Sequence, residues 1–272
     1  MKYIHITNNP EFAKYISEKG VNRIMIDLEK IGKNERQGHL DTVISDHKLI
    51  DIKLVKKKIH NTGSEIITRI NPVHQNTKHE IEQAINFGTD YIMLPMFNSK
   101  SEVGTVIKHI NKKVKLILLF ETPKSILNID QIIELDQINE AHVGINDLSI
   151  AFDLKFMFEL FSSSILEFIT QKFKKRKIPF GIGGISRIGT GILDPKLILS
   201  EHVRLGSSRV IVSRSFTQKF QSKEKLILHM DFGKEISLIS LEYERLKKLD
   251  NKLLMINKEK LINSLRLIAG EK

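Results

Sequence analysis

The chain has 272 residues, 41% of them hydrophobic and 28% charged, with a formal net charge of +11. That length buries the core of one large α/β domain or two small ones, and the absence of cysteine excludes a disulfide framework and thiolate chemistry. No run approaches the roughly 20 apolar residues of a spanning helix, and the N-terminal MKYIHITNNPEF holds no apolar core of signal-peptide length, so a cytoplasmic protein without a membrane partner is expected.

Short apolar runs recur along the chain with helical segments between them. Residues 3–7 (YIHIT) form the first predicted strand, followed by an Asn cap, a helical pattern and a terminal glycine in NNPEFAKYISEKG. Residues 23–28 (RIMIDL) form the second, and an irregular polar segment, GKNERQGHLDTVISDH, leads from it to a helix through Lys56. The third strand, residues 65–70, is halted by Asn71-Pro72. A helix over 78–87 ends at Gly88, and the fourth strand, residues 91–94, is stopped by Pro95.

A helix over 99–112 leads into the fifth strand, residues 115–120, and Pro123 opens a helix to Leu135 with its ring in the first turn, where a missing N–H costs little. The sixth strand is read at 142–145, a long helix at 154–175, the seventh strand at 178–182, a helix at 194–205 and the eighth strand at 209–213. The basic run KFKKRK (172–177) complements the negative end of the long helix. With no binding motif or aromatic interleaving beside it, a nucleic-acid partner is not expected.

Eight strands alternating with helices, without a composition break, predict a (β/α)₈ TIM barrel over 1–215. The open doubly wound sheet lacks its glycine fingerprint after the first strand. From residue 216 an amphipathic helical extension runs to 272, packing on the barrel or on a neighbouring subunit in a homo-oligomer.

A barrel gathers its strand ends on one face. These ends bring Asp27 and Glu29 from the second strand, Arg69 and Asn71 from the third, and Glu121 and Thr122 from the fifth. The sixth brings Asn146 and Asp147, the seventh Gly183 and Gly184, and the eighth Ser213, Arg214 and Ser215. An arginine and several acids facing one mouth suit a divalent metal and a small anionic substrate, while the bare backbone of Gly183 and Gly184 suits close approach of that anion. His39 lies in the loop over the mouth, His142 opens its predicted strand and so falls on the opposite face, and His202 lies on a helix beside Arg204.

The motifs IDLE (26–29), TRINP (68–72), DYIMLP (90–95), LLFET (118–122) and GINDLS (144–149) occur in the order found in the HpcH/HpaI aldolase/citrate lyase family of the phosphoenolpyruvate/pyruvate superfamily, which the chain resembles over roughly residues 20–150. The resemblance implies a lyase that makes or breaks a carbon–carbon bond of a 2-keto acid through a pyruvate enolate. It implies Mg²⁺ or Mn²⁺ held by Glu121 and Asp147, with Arg69 on the keto-acid oxygen. Lys33 and Arg36 correspond loosely to substrate-binding positions of the citrate-lyase branch, which adds a phosphorylated or CoA-linked substrate to the alternatives. A non-catalytic anion-binding barrel is a further one, because Lys30 stands where the aldolases carry a histidine base and Leu119 where they carry a glutamine. Asp27, Glu29, His39 and a water on the metal remain candidates for the base.

Overall fold

The computed structural model describes residues 1–37, 45–213, 216–217, 220 and 222–270. Eight parallel strands close in sequence order into a barrel: β1 (Lys2–Ile6), β2 (Arg23–Asp27), β3 (Glu65–Arg69), β4 (Tyr91–Leu94), β5 (Lys115–Phe120), β6 (Ile138–Val143), β7 (Phe180–Ile185) and β8 (Arg209–Val212), with β8 pairing back onto β1. The connections are helical: α1 (Pro10–Glu18), α2 (Lys33–Gln37) and α3 (Leu49–Ile59) precede β3, and α4 (Thr77–Asn86) and α5 (Lys100–Ile110) follow it. Then come α6 (Pro123–Leu127), α7 (Ile129–Ile133), α8 (Ile145–Ala151), α9 (Ile165–Lys175) and α10 (Pro195–Leu205). The predicted TIM barrel is the observed one.

Alternation along each strand sorts residues into two layers. Outward residues pack under the helices in one continuous core that includes Ile24, Ile26, Ile66, Ile92, Leu94, Leu118 and Phe120. Inward residues fill the barrel axis with Ile4, Met25, Ile67, Tyr91, Met93, Ile117 and Leu119. At the N-terminal end the axis is closed by charge. The fully buried Arg23 guanidinium donates to both Glu140 oxygens (2.7 and 2.9 Å) and to Tyr91 (2.8 Å), and Arg209 donates to the same carboxylate at 2.8 and 3.1 Å. Two guanidiniums hold the Glu140 carboxyl down at about 2 despite its burial.

Four elements differ from their predicted form. β6 begins at Ile138 rather than His142, because the polar Glu140 belongs inside the strand, where it pairs with Arg23 and Arg209. The helix predicted over 154–175 is a 3₁₀ turn at Met157–Ser162 followed by α9, and the one from Pro123 to Leu135 breaks at Asn128, whose side chain donates to the carbonyl of Asn98 at 2.8 Å. β7 runs three residues past its predicted end, through Gly183 and Gly184.

After β8 come α11 (Lys223–Ile227), α12 (Phe232–Leu246) and α13 (Asn251–Ala269). Helix α12 closes over β1, with Tyr3 hydrogen-bonded to Ser240 (2.8 Å) and Tyr243 donating to the Ser207 carbonyl (3.0 Å). Helix α13 lies on α10 and the 3₁₀ turn, and Glu167 on α9 pairs with both Lys258 of α13 and Arg204 of α10. No described helix is long and apolar enough to cross a membrane.

Candidate active site

At the C-terminal mouth of the barrel lies a cavity of about 250 Å³. Its polar lining is Lys33, Arg69, Glu121, Asn146, Asp147 and His142, its bare backbone Gly144, Gly183 and Gly184, and its apolar lining Leu119, Ile145, Met157 and Ile211. A larger cavity of about 410 Å³ opens at the starts of β3 and β5 among Lys112, Lys113 and Lys115; it is remote from these acids. The C-terminal mouth is where barrel enzymes place their chemistry.

Glu121 follows β5 directly and is 3% exposed. Its Oε1 accepts from the backbone N–H of Met96 at 3.1 Å, and Met96 holds a left-handed φ of +53°, unusual for a side chain of its size and a form of local strain that concentrates at functional sites. On its other side Gly144 leaves room: a Cβ there would stand 2.6 Å from Oε2 and 2.8 Å from the Cβ of Glu121. Burial, and then the neighbouring Asp147 and Glu29, push the Glu121 carboxyl well above the usual range, with Arg69 and the Met96 N–H opposing.

Asp147 is not at a strand end as expected. β6 stops at Val143, and Asp147 sits in the first turn of α8, where the helix terminus favours negative charge.

Asp27 and Glu29 stand behind the cavity wall. Asp27, fully buried at the end of β2, accepts two hydrogen bonds from Arg69 (Nε to Oδ1 and Nη2 to Oδ2, each 2.8 Å), one from Lys33 (2.7 Å) and one from Ser45 (2.9 Å). These cations overcome the cost of burial and hold the carboxyl far below its usual range. Glu29 faces Arg36 (2.6 Å), Lys33 (3.5 Å) and Arg69 (3.5 Å). Arg36 bridges onward to Asp147, its Nε 3.2 Å from Oδ1. Lys33 and Arg36, anticipated as substrate contacts, thus point into carboxylates of the protein itself. Asn71 holds the segment that carries them: its Oδ1 accepts from the N–H groups of Lys30 and Ile31 at 2.8 and 3.0 Å.

His142 corrects another expectation. With β6 running from Ile138, this residue lies near the C-terminal end of its strand and lines the cavity instead of the opposite face. Burial depresses its pKa to about 4. His39, Arg214 and Ser215 lie outside the described residues. His202 is buried on α10, with Nδ1 3.0 Å from Ser207 Oγ, and Arg204 is paired with Glu201 and Glu167. Sequence reasoning missed Gly144, Met96 and His142; only the glycine before an acid-bearing helix turn left a readable trace.

The donor set suits a small hard cation. Burial and then the nearby Asp147 carboxylate raise the proton affinity of Glu121, and a divalent ion held between these two acids would relieve their repulsion. Among the described residues no group of three or more His, Asp or Glu side chains is placed to hold a metal ion.

A closed (β/α)₈ barrel with a charged cavity at its C-terminal mouth defines a barrel-enzyme architecture. The family model described as HpcH/HpaI aldolase/citrate lyase matches residues 5–157, more than half of the chain, and the chain belongs to that family. Family and fold together point to a lyase of the aldolase/citrate lyase type. Among solved structures, an HpcH/HpaI aldolase from Desulfitobacterium hafniense DCB-2 superposes with a TM-score of 0.62 at 12% identity, covering 92% of this chain and 94% of that one. An HpcH/HpaI aldolase/citrate lyase family protein from Burkholderia cenocepacia J2315 gives 0.64 at 12% identity, over 84% and 95%. Citrate synthase SbnG gives 0.60 at 13%, over 89% and 94%. At these identities the likenesses show a shared fold. No curated protein matches the chain in sequence.

Proposed function

We propose that the protein is a divalent-metal-dependent carbon–carbon lyase that forms or cleaves a 2-keto acid through a pyruvate-type enolate. The observation that carries this reading is the convergence of Arg69, Glu121 and Asp147 on one cavity, with Glu121 kept avid for a positive charge. Glu121 and Asp147 would hold Mg²⁺ or Mn²⁺, which when bound supplies Lewis-acid stabilisation of charge developing on the substrate's keto oxygen.

The chain's own residues supply the rest. Arg69, oriented by Asp27 and kept charged at any working pH by that pairing, presents its remaining N–H groups to the cavity as donors to an oxyanion. Asp27 is saturated by cations and strongly ionised, which suits anchoring Arg69 rather than moving a proton. Glu29 is likewise occupied, and neither acid lines the cavity. The apolar side chains Leu119, Ile145, Met157 and Ile211 line the same space beside these charges.

The reading is tested by following deuterium incorporation into the methyl group of pyruvate with and without Mn²⁺, followed by a screen of aldehydes as acceptors. Metal-dependent exchange that Glu121→Ala and Arg69→Ala each lower by about a hundredfold or more supports it. Exchange that persists in Glu121→Ala, or a wild-type protein that catalyses none with Mn²⁺, overturns it.

A further inference from the structure

Strand β7 is irregular where it meets the cavity. Its register with β8 jumps between Gly181 and Gly184, and Gly183 within the jump has a φ of +45°. The space around it is fully taken. A side chain at Gly183 would collide with Ile145, whose Cδ1 would lie 2.6 Å from the added carbon, and one at Gly181 would run into the imidazole of His142. Only glycine fits either place. His142 packs against the bulge: the ring lies over Gly181 and its Nε2 is 3.1 Å from the carbonyl oxygen of Gly183. A carbonyl only accepts, so Nε2 carries the proton. The charged groups that act on the ring are Glu140, Arg69 and Arg209, and with burial as the largest influence the ring is neutral near pH 7.

Gly183 and His142 both line the cavity, so losing this donor would leave an uncompensated negative dipole end in the cavity wall, where the low dielectric makes repulsion of a bound anion costly. We propose that His142 is a positioning residue for an anionic substrate: by donating to the Gly183 carbonyl it removes that repulsion and holds the bare backbone of Gly183 and Gly184 as a wall of the cavity that contains Arg69 and Glu121. The inference rests on the enolate reading only in taking the substrate to be a small carboxylate.

The test uses the full chain loaded with Mn²⁺ and oxalate as the probe anion, with binding measured by calorimetry. His142→Leu removes the donor and keeps the bulk; His142→Gln restores an N–H at a similar reach. Loss of one hydrogen bond of this kind predicts oxalate binding about tenfold weaker in His142→Leu and within about threefold of wild type in His142→Gln. Mn²⁺ affinity and far-ultraviolet circular dichroism should be unchanged in both, which separates the role from a general loss of structure. Oxalate binding in His142→Leu as tight as in wild type overturns the inference, as does a His142→Gln protein no better than His142→Leu. A wild-type protein that binds Mn²⁺ but no oxalate overturns it too; one that binds neither overturns the metal reading as well.

Discussion

Arg69 grips Asp27 through two parallel hydrogen bonds, Nε to Oδ1 and Nη2 to Oδ2, both 2.8 Å long. The pair joins adjacent strands in register, since Asp27 of β2 lies opposite Arg69 of β3. A forked contact of this kind fixes the plane of the guanidinium as well as its position. If Asp27 works only through Arg69, the two losses are not independent. Asp27→Ala and Arg69→Ala should each lower pyruvate exchange by about a hundredfold or more, and the double variant should be no worse than the poorer single. Breaking the buried pair should also lower stability by about 3–5 kcal/mol in either single variant, measured by urea unfolding. Losses in exchange that multiply would make Asp27 an independent catalytic group.

Gly144 is where the metal-holding role of Glu121 can be challenged with one methyl group. The added carbon would stand 2.6 Å from Oε2 and 2.8 Å from Cβ of Glu121, and 3.3 Å from a methyl of Leu119. The carboxylate is also fastened by the Met96 N–H, so it has little freedom to swing away. Gly144→Ala is expected to fold, at a cost of about 1–3 kcal/mol, and to bind Mn²⁺ at least tenfold more weakly than wild type. Wild-type Mn²⁺ affinity in a titration of this variant would show that Glu121 is not a ligand.

The parts of this fold that obey simple periodicity are readable from the sequence, and those that serve the axis are not. The apolar runs of strands β2 to β5 give their limits to within a residue, and Asn71-Pro72 and Pro95 mark the ends of β3 and β4. The start of β6 escapes a sequence reading because the polar Asn139 and Glu140 imitate a loop although they belong to the strand. The Glu140 charge is matched by Arg23 and Arg209, which come from β2 and β8 and reveal nothing locally. Gly183 and Gly184 were legible as a bare wall but not as part of a strand, because the reason for glycine lies in Ile145 and His142, brought close by folding. Glu121 stood out as an acid ending an apolar run. That Lys33 and Arg36 spend their charge on Asp27, Glu29 and Asp147 is a tertiary fact without a sequence signature.

Acid should weaken the protein through its buried histidines, independently of the site. His5 sits between Phe12 and Phe232, with ring centroids 5.5 and 6.4 Å away, and its Nδ1 is buried without a partner. Burial lowers its pKa to about 4. Above pH 6.5 the ring is neutral in both folded and unfolded chains and makes no pH-dependent contribution. Between 6.5 and about 4 only the unfolded chain takes the proton, so stability falls as pH falls, by up to about 3 kcal/mol from this residue. His5→Phe keeps a ring against the two phenylalanines and cannot titrate. Its unfolding free energy should fall less steeply between pH 6.5 and 4.5 than that of wild type, and parallel slopes would assign the acid sensitivity elsewhere.

Arg36 offers the last test, because it places a fixed positive charge beside a proposed metal ligand. Its guanidinium donates to Glu29 at 2.6 Å and to Asp147 Oδ1 at 3.2 Å, and its side chain is 22% exposed. Without a metal, that charge offsets the mutual repulsion of the acids; with one, it repels the incoming cation through the same carboxylate. The two effects have opposite signs and are separable. Arg36→Ala should lower the stability of the metal-free protein by about 1–2 kcal/mol, the order expected for a partly buried charged hydrogen-bonded contact, and should tighten Mn²⁺ binding several-fold near neutral pH. Both quantities come from one set of thermal melts run against Mn²⁺ concentration, since a ligand that binds only the folded state raises stability according to its affinity. Weaker Mn²⁺ binding in Arg36→Ala would mean that the arginine holds Asp147 in its ligating position instead of competing for it.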